Sequence, residues 1–399
     1  MSRSSALYDS IRNPQMESWP GMRIVFVLTC LGVGGAERQA LAVAERMRAR
    51  GHTVALMTLR PELAEEWPTE IQTIRLDMLR TPLSLVRGLA QAREFLREFR
   101  PDLVHSHTFH ANIFARLLKV LAPALVLIST IHNVYEGGRL RMLAYRLTDR
   151  FAFCTTAVSE AAARRFIQRK AVMKAKCLVI SNGIDTREMA PNGARRNETR
   201  VQMESEDHFI WLTAGRMVPA KDYPNLLRAF AKAHRIHAQT QLWIAAPEDG
   251  LEFRKCRDMA VQLGLEQAIR WLGLRRDMPA LLDTADAFVL ASAWEGMPLA
   301  LAEAMAMEKP VVATDVGGVR ELVGDAGVVV PPGNSVALAA AMCDLMQMQL
   351  QERQAMGRRA RNRILELFSI ETKAEEWETF YQFALEQAKG PERIAPAPR

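Results

Sequence analysis

Two cations follow a strand-like run in the second half of the chain. Residues 209–214 are apolar and end just before Arg216, and Lys221 lies five residues further on. Asp222, beside Lys221, is a residue type that commonly precedes a helix, because its side chain accepts a hydrogen bond from an otherwise free N–H. Two cations between a strand end and a helix start suit a diphosphate, and a pair of solvated surface charges is the alternative interpretation.

Two carboxylates follow another predicted strand, at residues 286–291. Glu295 lies in the loop after this strand, and Glu303 lies eight residues later, in the second turn of a predicted helix. Both can therefore face a single ligand at the mouth of a sheet. The helix start offers backbone N–H donors, and proline is well placed at a first helical position. This start comprises Gly296, Met297, Pro298 and Leu299.

A glycine-rich loop follows the first predicted strand, which begins at Arg23. Gly34 and Gly35 precede a predicted helix, so a backbone without side chains and the helix N-terminus could approach an anion closely. The dinucleotide-binding fingerprint fails here, because Glu37 occupies the place of its third glycine. The loop is predicted to touch a phosphate or a sugar, with a simple tight turn as the alternative.

Strand-like and helical runs alternate from Met22 onward, pause in a polar stretch, and then alternate again. This pattern predicts an α/β protein with two Rossmann-like, doubly wound parallel sheets. Ligands of such sheets bind beyond the carboxyl ends of the strands, so two facing domains would enclose a cleft. The predicted organisation is a flexible extension (1–21), an N-terminal domain (22–190), a linker (191–207), a C-terminal domain (208–369), and a final helix with a tail (370–399).

The net charge of +7 is unevenly distributed. Residues 22–190 hold 25 Lys and Arg against 15 Asp and Glu, whereas residues 191–399 hold 25 against 28. A polyanion or an anionic membrane is therefore a plausible neighbour of the first half. A cluster free of acidic residues is predicted to face the membrane, with a solvated basic face as the alternative; it comprises Arg164, Arg165, Arg169, Lys170, Lys174 and Lys176.

The chain resembles the retaining GT-B glycosyltransferases of family 4, the group 1 glycosyl transferases, from Met22 to about Gln387. The resemblance is carried, in order, by Gly34-Gly35-Ala36-Glu37-Arg38, Ser181-Asn182-Gly183-Ile184-Asp185, Gly215-Arg216 with Lys221, Glu295 to Glu303, and Val311-Val312-Ala313-Thr314-Asp315-Val316-Gly317-Gly318. It implies a GT-B fold in which the C-terminal domain holds a nucleotide sugar and the N-terminal domain holds the acceptor. It also implies that the last helix crosses back onto the N-terminal domain.

The same resemblance implies roles for individual residues. Arg216 and Lys221 would bind the donor diphosphate, where fixed cations can stabilise the leaving group without a metal. Glu303 would accept hydrogen bonds from the ribose, and Glu295 would face the transferred sugar. A loop containing Leu274 and Arg275 resembles the segment that contacts the base through its backbone.

A histidine in the first half resembles the family's active-site histidine. It is His107, at the end of a predicted strand, and a neutral imidazole there could donate a hydrogen bond to a sugar hydroxyl or position the acceptor. His105 and His110 are close enough in sequence to be confused with it, and His132 is a weaker candidate. A structural histidine is the alternative interpretation of His107.

The predicted function is transfer of a hexose from a nucleotide diphosphate sugar, UDP-linked by preference, to a lipid-linked or saccharide acceptor in cell-envelope synthesis. Retention of configuration follows from the resemblance alone. The alternatives are a catalytically idle nucleotide-sugar-binding subunit, a nucleotide-sugar epimerase, or a synthase of a soluble disaccharide. We expect no cofactor and no metal, because no D-x-D triplet occurs, and no nucleic acid partner. A cytoplasmic location, peripheral on the inner membrane face, is expected because residues 1–20 lack an apolar signal segment.

Overall fold

The computed structural model describes residues 21–32, 34–61, 69–203 and 205–389. These residues form two compact units, one from the described part of Met1–Gly183 together with that of Ile370–Arg399, and the other from Ile184–Ser369. Each unit is built on one sheet in which every pair of neighbouring described strands is parallel. The extension predicted at 1–21 lies outside the described residues except for Gly21.

The first unit contains a seven-stranded sheet in the order β3-β2-β1-β4-β5-β6-β7. Its strands are β1 (Arg23–Leu28), β2 (Thr53–Thr58), β3 (Gln72–Arg75), β4 (Leu103–His107), β5 (Val126–Ile131), β6 (Cys154–Ala157) and β7 (Cys177–Val179). Its helices between the strands are α1 (Gly35–Ala49), α2 (Pro82–Phe99), α3 (Thr108–Leu121), α4 (Arg139–Thr148) and α5 (Glu160–Gln168).

The central strands of this sheet are apolar because helices cover both faces. Residues 24–28 of β1 are all buried, and Ile24 is level with Val54 of β2 and Leu103 of β4. Local signals begin the helices: the Thr81 hydroxyl accepts from the N–H of Ser84 at the start of α2. The sheet therefore holds the carboxyl ends of β1, β4 and β5 at one edge.

The second unit contains a six-stranded sheet in the order β10-β9-β8-β11-β12-β13. Its helices are α6 (Gly193–Gln202), α7 (Tyr223–Ile236), α8 (Gly250–Gln262), α9 (Met278–Thr284), α10 (Leu299–Ala306), α11 (Val319–Val323), α12 (Ser335–Gln347) and α13 (Leu350–Leu367). Its strands are β8 (Phe209–Ala214), β9 (Thr240–Ala245), β10 (Ile269–Trp271), β11 (Ala287–Leu290), β12 (Val311–Thr314) and β13 (Val328–Val330).

The predicted linker at 191–207 is wrong, because most of this stretch is helix α6 and belongs to the second unit. Arg196 donates to the carbonyls of Asp283, Thr284 and Ala285 at the end of α9, and to the Asp286 carboxylate at 2.5 Å. Arginines thus satisfy carbonyls that a helix end leaves free, so a polar sequence forms an ordered helix without an apolar face.

The last described helix, α14 (Ile370–Lys389), belongs to the first unit, which confirms the predicted return of the chain. Its buried residues Trp377, Phe380, Tyr381 and Ala384 recur at helical spacing and pack in the same core as Phe26 of β1. This helix places an aromatic side chain beside the histidines at the end of β4.

Candidate active site

The loop after β8 folds back on itself in the second unit. Gly215 has a φ of +136°, and a Cβ atom there would lie 3.0 Å from the Lys221 Cε. The Tyr223 hydroxyl donates to the Gly215 carbonyl at 2.6 Å. The predicted role of Asp222 as an N-cap is confirmed, since its carboxylate accepts from the N–H of Asn225. The loop therefore holds Lys221 against its own backbone.

An ion pair joins this loop to the loop after β11. The Lys221 Nζ lies 2.6 Å from the Glu295 Oε1, and the Ser292 hydroxyl donates to the same oxygen at 2.7 Å. The Lys221 side chain is 20% exposed and that of Glu295 is 10% exposed, so both charges are largely withdrawn from water. The backbone N–H of Ala293 also donates to the Ala220 carbonyl at 2.8 Å. Both residues are predicted to contact a ligand, but the sequence did not predict that they form an ion pair with each other.

The loop after β12 contacts the backbone of Glu295 and of its neighbours. Gly317 has a φ of +53°, and a Cβ atom there would lie 1.9 Å from the Glu295 carbonyl oxygen. The N–H of Gly318 donates to the Gly296 carbonyl at 2.8 Å, and the Thr314 hydroxyl donates to the Ser292 carbonyl at 2.6 Å. Only glycine allows the two backbone segments to come this close, so Gly317 helps to fix the position of Glu295.

Helix α10 begins one residue later than predicted. Pro298 is its N-cap and not its first helical residue, and no side chain caps the helix start. Its first N–H groups therefore remain available to an anion. Glu303 lies in the second turn and is 4% exposed, and Met297 is 6% exposed. Glu295 and the N-terminus of this helix lie on one loop, and Lys221 reaches Glu295 from the loop after β8.

Arg216 and the loop after β10 complete the predicted donor residues. Arg216 is exposed, and its side chain forms no hydrogen bond or ion pair with the residues that the structure describes. Leu274 is also exposed, and Arg275 forms an ion pair with Asp277 at 2.5 Å. Strand β10 is at the edge of the sheet and β9 separates it from β8. The structure therefore joins Lys221 to Glu295 but leaves Leu274 and Arg275 in a separate loop.

The histidines of the first unit fall into two groups. His105 is fully buried, and its ring nitrogens contact the Tyr381 hydroxyl at 2.7 Å and the Thr130 hydroxyl at 2.6 Å. His107 contacts His132, with 2.9 Å between Nδ1 and Nε2, and its own Nε2 is buried without a hydrogen-bond partner among the described residues. His105 is thus held by the core, whereas His107 keeps one nitrogen for a ligand.

Both histidines of this pair are held neutral. Burial lowers the pKa of His107 well below its ordinary value, and the neighbouring rings of His105 and His132 lower it further. Burial likewise lowers the pKa of His132 to about 3. In a neutral pair one ring nitrogen must donate to the other, so the tautomer of His132 decides whether His107 Nε2 donates or accepts.

His132 is held by residues that the sequence did not predict for the site. The Glu136 carboxylate accepts from the N–H of His132 at 2.9 Å and from the Tyr145 hydroxyl at 2.6 Å, and burial raises its pKa. Thr108, directly after His107, has a φ of +69°, a strained conformation for a β-branched residue. Tyr145 lies in a segment whose sequence is notable mainly for its arginines. The only signal for this contact in the sequence is the spacing of His132 and Glu136, four residues apart.

The glycine loop of the first unit begins helix α1. Gly34 is the N-cap of this helix, and no side chain caps the helix start. A Cβ atom at Gly34 would lie 2.2 Å from the Glu37 Oε2. Gly35 is exposed as the first helical residue. A side chain at Gly34 would therefore displace Glu37.

The predicted membrane-facing residues are not all free. Arg164 and Arg165 are exposed on α5, and Arg169, Lys170 and Lys174 are exposed after it. Lys176 differs, because its Nζ donates to the Ala152 carbonyl at 3.0 Å and therefore holds the fold together.

We expect the first unit to lose stability as the pH falls below about 6.5. The unfolded chain takes up protons on its histidines near pH 6.5, whereas His107 and His132 resist protonation in the fold, so the unfolded state binds more protons between pH 6.5 and 3. His132 alone should lower the free energy of unfolding by about 1–2 kcal/mol at pH 5. Urea unfolding at pH 7.5 and 5 measures this, and His132→Gln should flatten the dependence. An unchanged pH dependence in His132→Gln would contradict it.

Three comparisons with known proteins agree with this architecture. Over 93% of this chain and 100% of the other, the structure is similar to HepE from Anabaena, solved in complex with UDP and glucose, with a TM-score of 0.78 and 22% identity. The chain is 26% identical over 394 residues to the glycogen synthase of Mycobacterium tuberculosis, covering 86% of this chain and 89% of the relative.

A third relative comes from Escherichia coli. It is the UDP-Gal:alpha-D-GlcNAc-diphosphoundecaprenol alpha-1,3-galactosyltransferase, 27% identical over 247 residues. The match covers 58% of this chain and 62% of the relative, so it spans less than two thirds of that protein's length.

Two parallel-sheet α/β units, with the last described helix in the first, define the GT-B fold. The family model described as "Glycosyl transferases group 1" matches residues 195–363, and that described as "Glycosyltransferase Family 4" matches residues 33–188. The chain belongs to this glycosyltransferase family.

Within 21–32, 34–61, 69–203 and 205–389, no group of three His, Cys, Asp or Glu side chains is placed to bind a metal ion. None of the described helices combines the length and the apolar character needed to cross a bilayer.

Proposed function

We propose that the chain transfers a hexose from a UDP-sugar, with retention of configuration, to a lipid-linked or saccharide acceptor in cell-envelope polysaccharide or glycolipid synthesis. The observation that carries the proposal is the Lys221–Glu295 pair beside the uncapped start of α10. It combines a cation for a diphosphate with a carboxylate for sugar hydroxyls at the carboxyl ends of two neighbouring strands. The galactosyltransferase from E. coli supports a UDP-sugar donor and a lipid-linked acceptor.

In this proposal the donor is held by the second unit. Lys221 and Arg216 bind the diphosphate and stabilise the charge that develops on it when the glycosidic bond breaks. Glu303 accepts hydrogen bonds from the ribose hydroxyls, and Glu295 accepts from the sugar. The backbone of Leu274 and Arg275 contacts the base. The backbone N–H groups of the segment from Gly296 to Leu299, which leads into α10, contact the same donor.

The first unit contributes residues of its own to this proposal. His107 presents its free Nε2 to a sugar hydroxyl, and His132 sets the tautomer that it presents. Gly34 and Gly35 allow the backbone at the start of α1 to approach the ligand.

We expect sugar release from a UDP-sugar in the presence of EDTA. UDP-galactose, UDP-glucose and UDP-N-acetylglucosamine are each incubated with the protein, and released UDP is measured with and without a lipid-linked acceptor. Release should persist in EDTA because Arg216 and Lys221 supply the positive charge that a metal would otherwise supply. Activity lost in EDTA and restored by Mn²⁺ would contradict the metal-free mechanism.

Control variants separate the alternatives. Glu295→Ala should abolish UDP release, whereas Glu366→Ala, which removes an exposed carboxylate of α13, should not change it. Binding of a UDP-sugar without release would indicate an idle binding subunit. Inversion of the sugar without transfer would indicate an epimerase. Transfer to a free monosaccharide alone would indicate a synthase of a soluble disaccharide.

We also propose that the basic cluster on and after α5 docks on an anionic membrane. Each cation near such a surface contributes roughly 1 kcal/mol, so replacing the exposed Arg164, Arg165, Arg169, Lys170 and Lys174 by glutamine should release the protein from anionic vesicles. Lys176 is left in place because it holds the Ala152 carbonyl. Co-sedimentation at about 0.1 M and about 1 M salt measures this, and the attraction should fade at high salt.

A matched variant controls for net charge. It replaces five exposed cations of the second unit by glutamine: Arg228, Lys232, Arg235, Arg254 and Arg257. This control should sediment like the parent. Equal loss in both variants would show that only the total charge matters, and no loss in either would show that the cluster is a solvated face.

A further inference from the structure

Four cationic or titratable side chains follow four strands of the first unit. Arg60 comes two residues after β2, and Arg80 lies between β3 and α2. His110 is in the first turn of α3, which follows β4, and Arg141 is in the first turn of α4, which follows β5. Because the strands are parallel, all four side chains belong to the carboxyl edge of the sheet, where α/β proteins bind ligands.

Backbone hydrogen bonds order the segments that precede α2 and carry the first two arginines. The N–H of Arg60 donates to the Thr29 carbonyl at 3.0 Å, which continues the pairing of β2 with β1 beyond the strands. The N–H of Met78 donates to the Leu59 carbonyl at 2.7 Å, which continues the pairing with β3. Arg60 and Arg80 thus leave neighbouring, ordered backbone segments.

Arg141 is held in place from the other side. Its Cζ lies 4.7 Å from the centre of the Phe109 ring, and its Nη1 donates to the Glu136 carbonyl at 2.9 Å. The Phe109 ring packs edge-on against His110, with 5.3 Å between centroids. Gly137 permits this, since a Cβ atom there would lie 2.3 Å from the Arg141 Cδ. The guanidinium is oriented, and its other N–H groups donate to none of the residues that the structure describes.

Among the residues that the structure describes, no acid forms an ion pair with the arginines of this group. Neither Arg60 nor Arg80 forms a side-chain hydrogen bond or ion pair with the described residues. The carboxylate of Glu136, the acid next to Arg141, already accepts from Tyr145 and from the His132 backbone. Burial lowers the pKa of His110, and Arg141, Arg60 and Arg80 each lower it further, so all three guanidiniums act on one ring.

This arrangement differs from the basic cluster on α5. The arginines on that helix are exposed on its surface, whereas here the charges of Arg60, Arg80 and Arg141, from three separate segments, all act on one half-buried imidazole. Bringing like charges together costs free energy that an anion would recover through charge-assisted hydrogen bonds. Arginine also matches phosphate geometry with two parallel N–H donors.

We propose that Arg60, Arg80, Arg141 and His110 bind a phosphate or diphosphate group of the acceptor substrate. This inference rests on the proposed transferase function and deepens it, because it assigns the acceptor a phosphate and gives that phosphate a site. The donor diphosphate is assigned to Arg216 and Lys221 in the second unit, so the enzyme has two anion sites for two substrates.

The test uses inorganic pyrophosphate with the donor site filled by saturating UDP. Calorimetry should show pyrophosphate binding to the UDP-loaded parent protein. The variant Arg60→Gln/Arg80→Gln should bind pyrophosphate at least tenfold more weakly while its affinity for UDP stays unchanged. Arg93→Gln/Arg97→Gln removes two exposed arginines of α2 outside the group and should bind like the parent. Equal affinities in the two double variants would overturn the proposal.

A second readout reports on the site itself. In proton NMR spectra, with the signal assigned through His110→Gln, pyrophosphate should raise the pKa of His110 in the parent, because the anion offsets the three guanidiniums. The shift should be lost in Arg60→Gln/Arg80→Gln. An unchanged His110 titration in the parent would overturn the proposal even if pyrophosphate binds elsewhere.

Further arms identify the source of the phosphate and separate the two proposals. Farnesyl diphosphate that competes with pyrophosphate more strongly than inorganic phosphate does would identify a lipid diphosphate, and the reverse order would identify a soluble phosphate. If UDP does not bind but the pyrophosphate results hold, the anion site stands and the transferase proposal fails. If UDP binds and is released from a UDP-sugar but the double variant behaves like the parent, the transferase proposal stands and this site fails.

Discussion

Lys221→Ala is expected to weaken binding of UDP about ten- to a hundredfold while leaving the affinity for uridine unchanged. Loss of one charge-assisted hydrogen bond costs about 1.5–3 kcal/mol, and uridine carries no diphosphate to lose it. The substitution also removes the cation beside the largely buried Glu295 carboxylate, which keeps its hydrogen bond from the Ser292 hydroxyl, and the uncompensated negative charge repels the diphosphate. Calorimetry with UDP and uridine measures both affinities.

Two controls sharpen this result. Lys232→Ala removes an exposed lysine of α7 and should bind UDP like the parent. The double variant Lys221→Ala/Glu295→Gln removes the unpaired carboxylate, so it should recover part of the lost UDP affinity, and the double-mutant cycle measures the coupling. Equal UDP affinities in Lys221→Ala and Lys232→Ala would show that Lys221 does not contact the donor.

Gly317→Ala is expected to destabilise the second unit by about 2–4 kcal/mol and to abolish measurable UDP-sugar binding. Alanine at a φ of +53° is strained, and its Cβ atom would lie 1.9 Å from the Glu295 carbonyl oxygen, so the backbone must move. That movement displaces the carboxylate that is proposed to face the sugar. Thermal unfolding with and without UDP measures the two effects.

Gly333→Ala is the matched control for this variant. Gly333 has a φ of +67°, and nothing lies within 4 Å of a Cβ atom there, so this substitution carries the backbone strain without the collision. We expect it to cost about 1–2 kcal/mol and to leave UDP binding intact. If the two variants lose the same stability and bind UDP equally, the contact between Gly317 and Glu295 does not position the site.

The alternation of apolar and helical runs was sufficient to predict the two parallel sheets. Central strands such as β1 and β12 are buried on both faces, so they read as continuous apolar runs whose type is unambiguous. Strand β3 (Gln72–Arg75) was missed, because it is a half-exposed edge strand with a polar sequence and no such signal. Helix α6 was misread as a linker, because its arginines are ordered by the carbonyls of α9, far away in sequence.

The sequence by itself determined which residue types stand after which strands, because parallel strands must deliver their following loops to one edge of the sheet. It could not determine which of these residues meet. His105 and His107 are two positions apart on one strand, and only the packing of Tyr381 and His132 against them separates a core histidine from one with a free nitrogen.

The tertiary structure alone decided the pairings that carry the proposed chemistry. Lys221 and Glu295 are 74 residues apart, and the three guanidiniums that act on His110 come from three separate segments of the chain. Such contacts depend on the order of strands in the sheet and on close approaches such as Gly317 to the Glu295 carbonyl. Long-range geometry of this kind leaves no periodic pattern along the chain, because it is set by packing between elements and not by the conformational preferences of neighbouring residues.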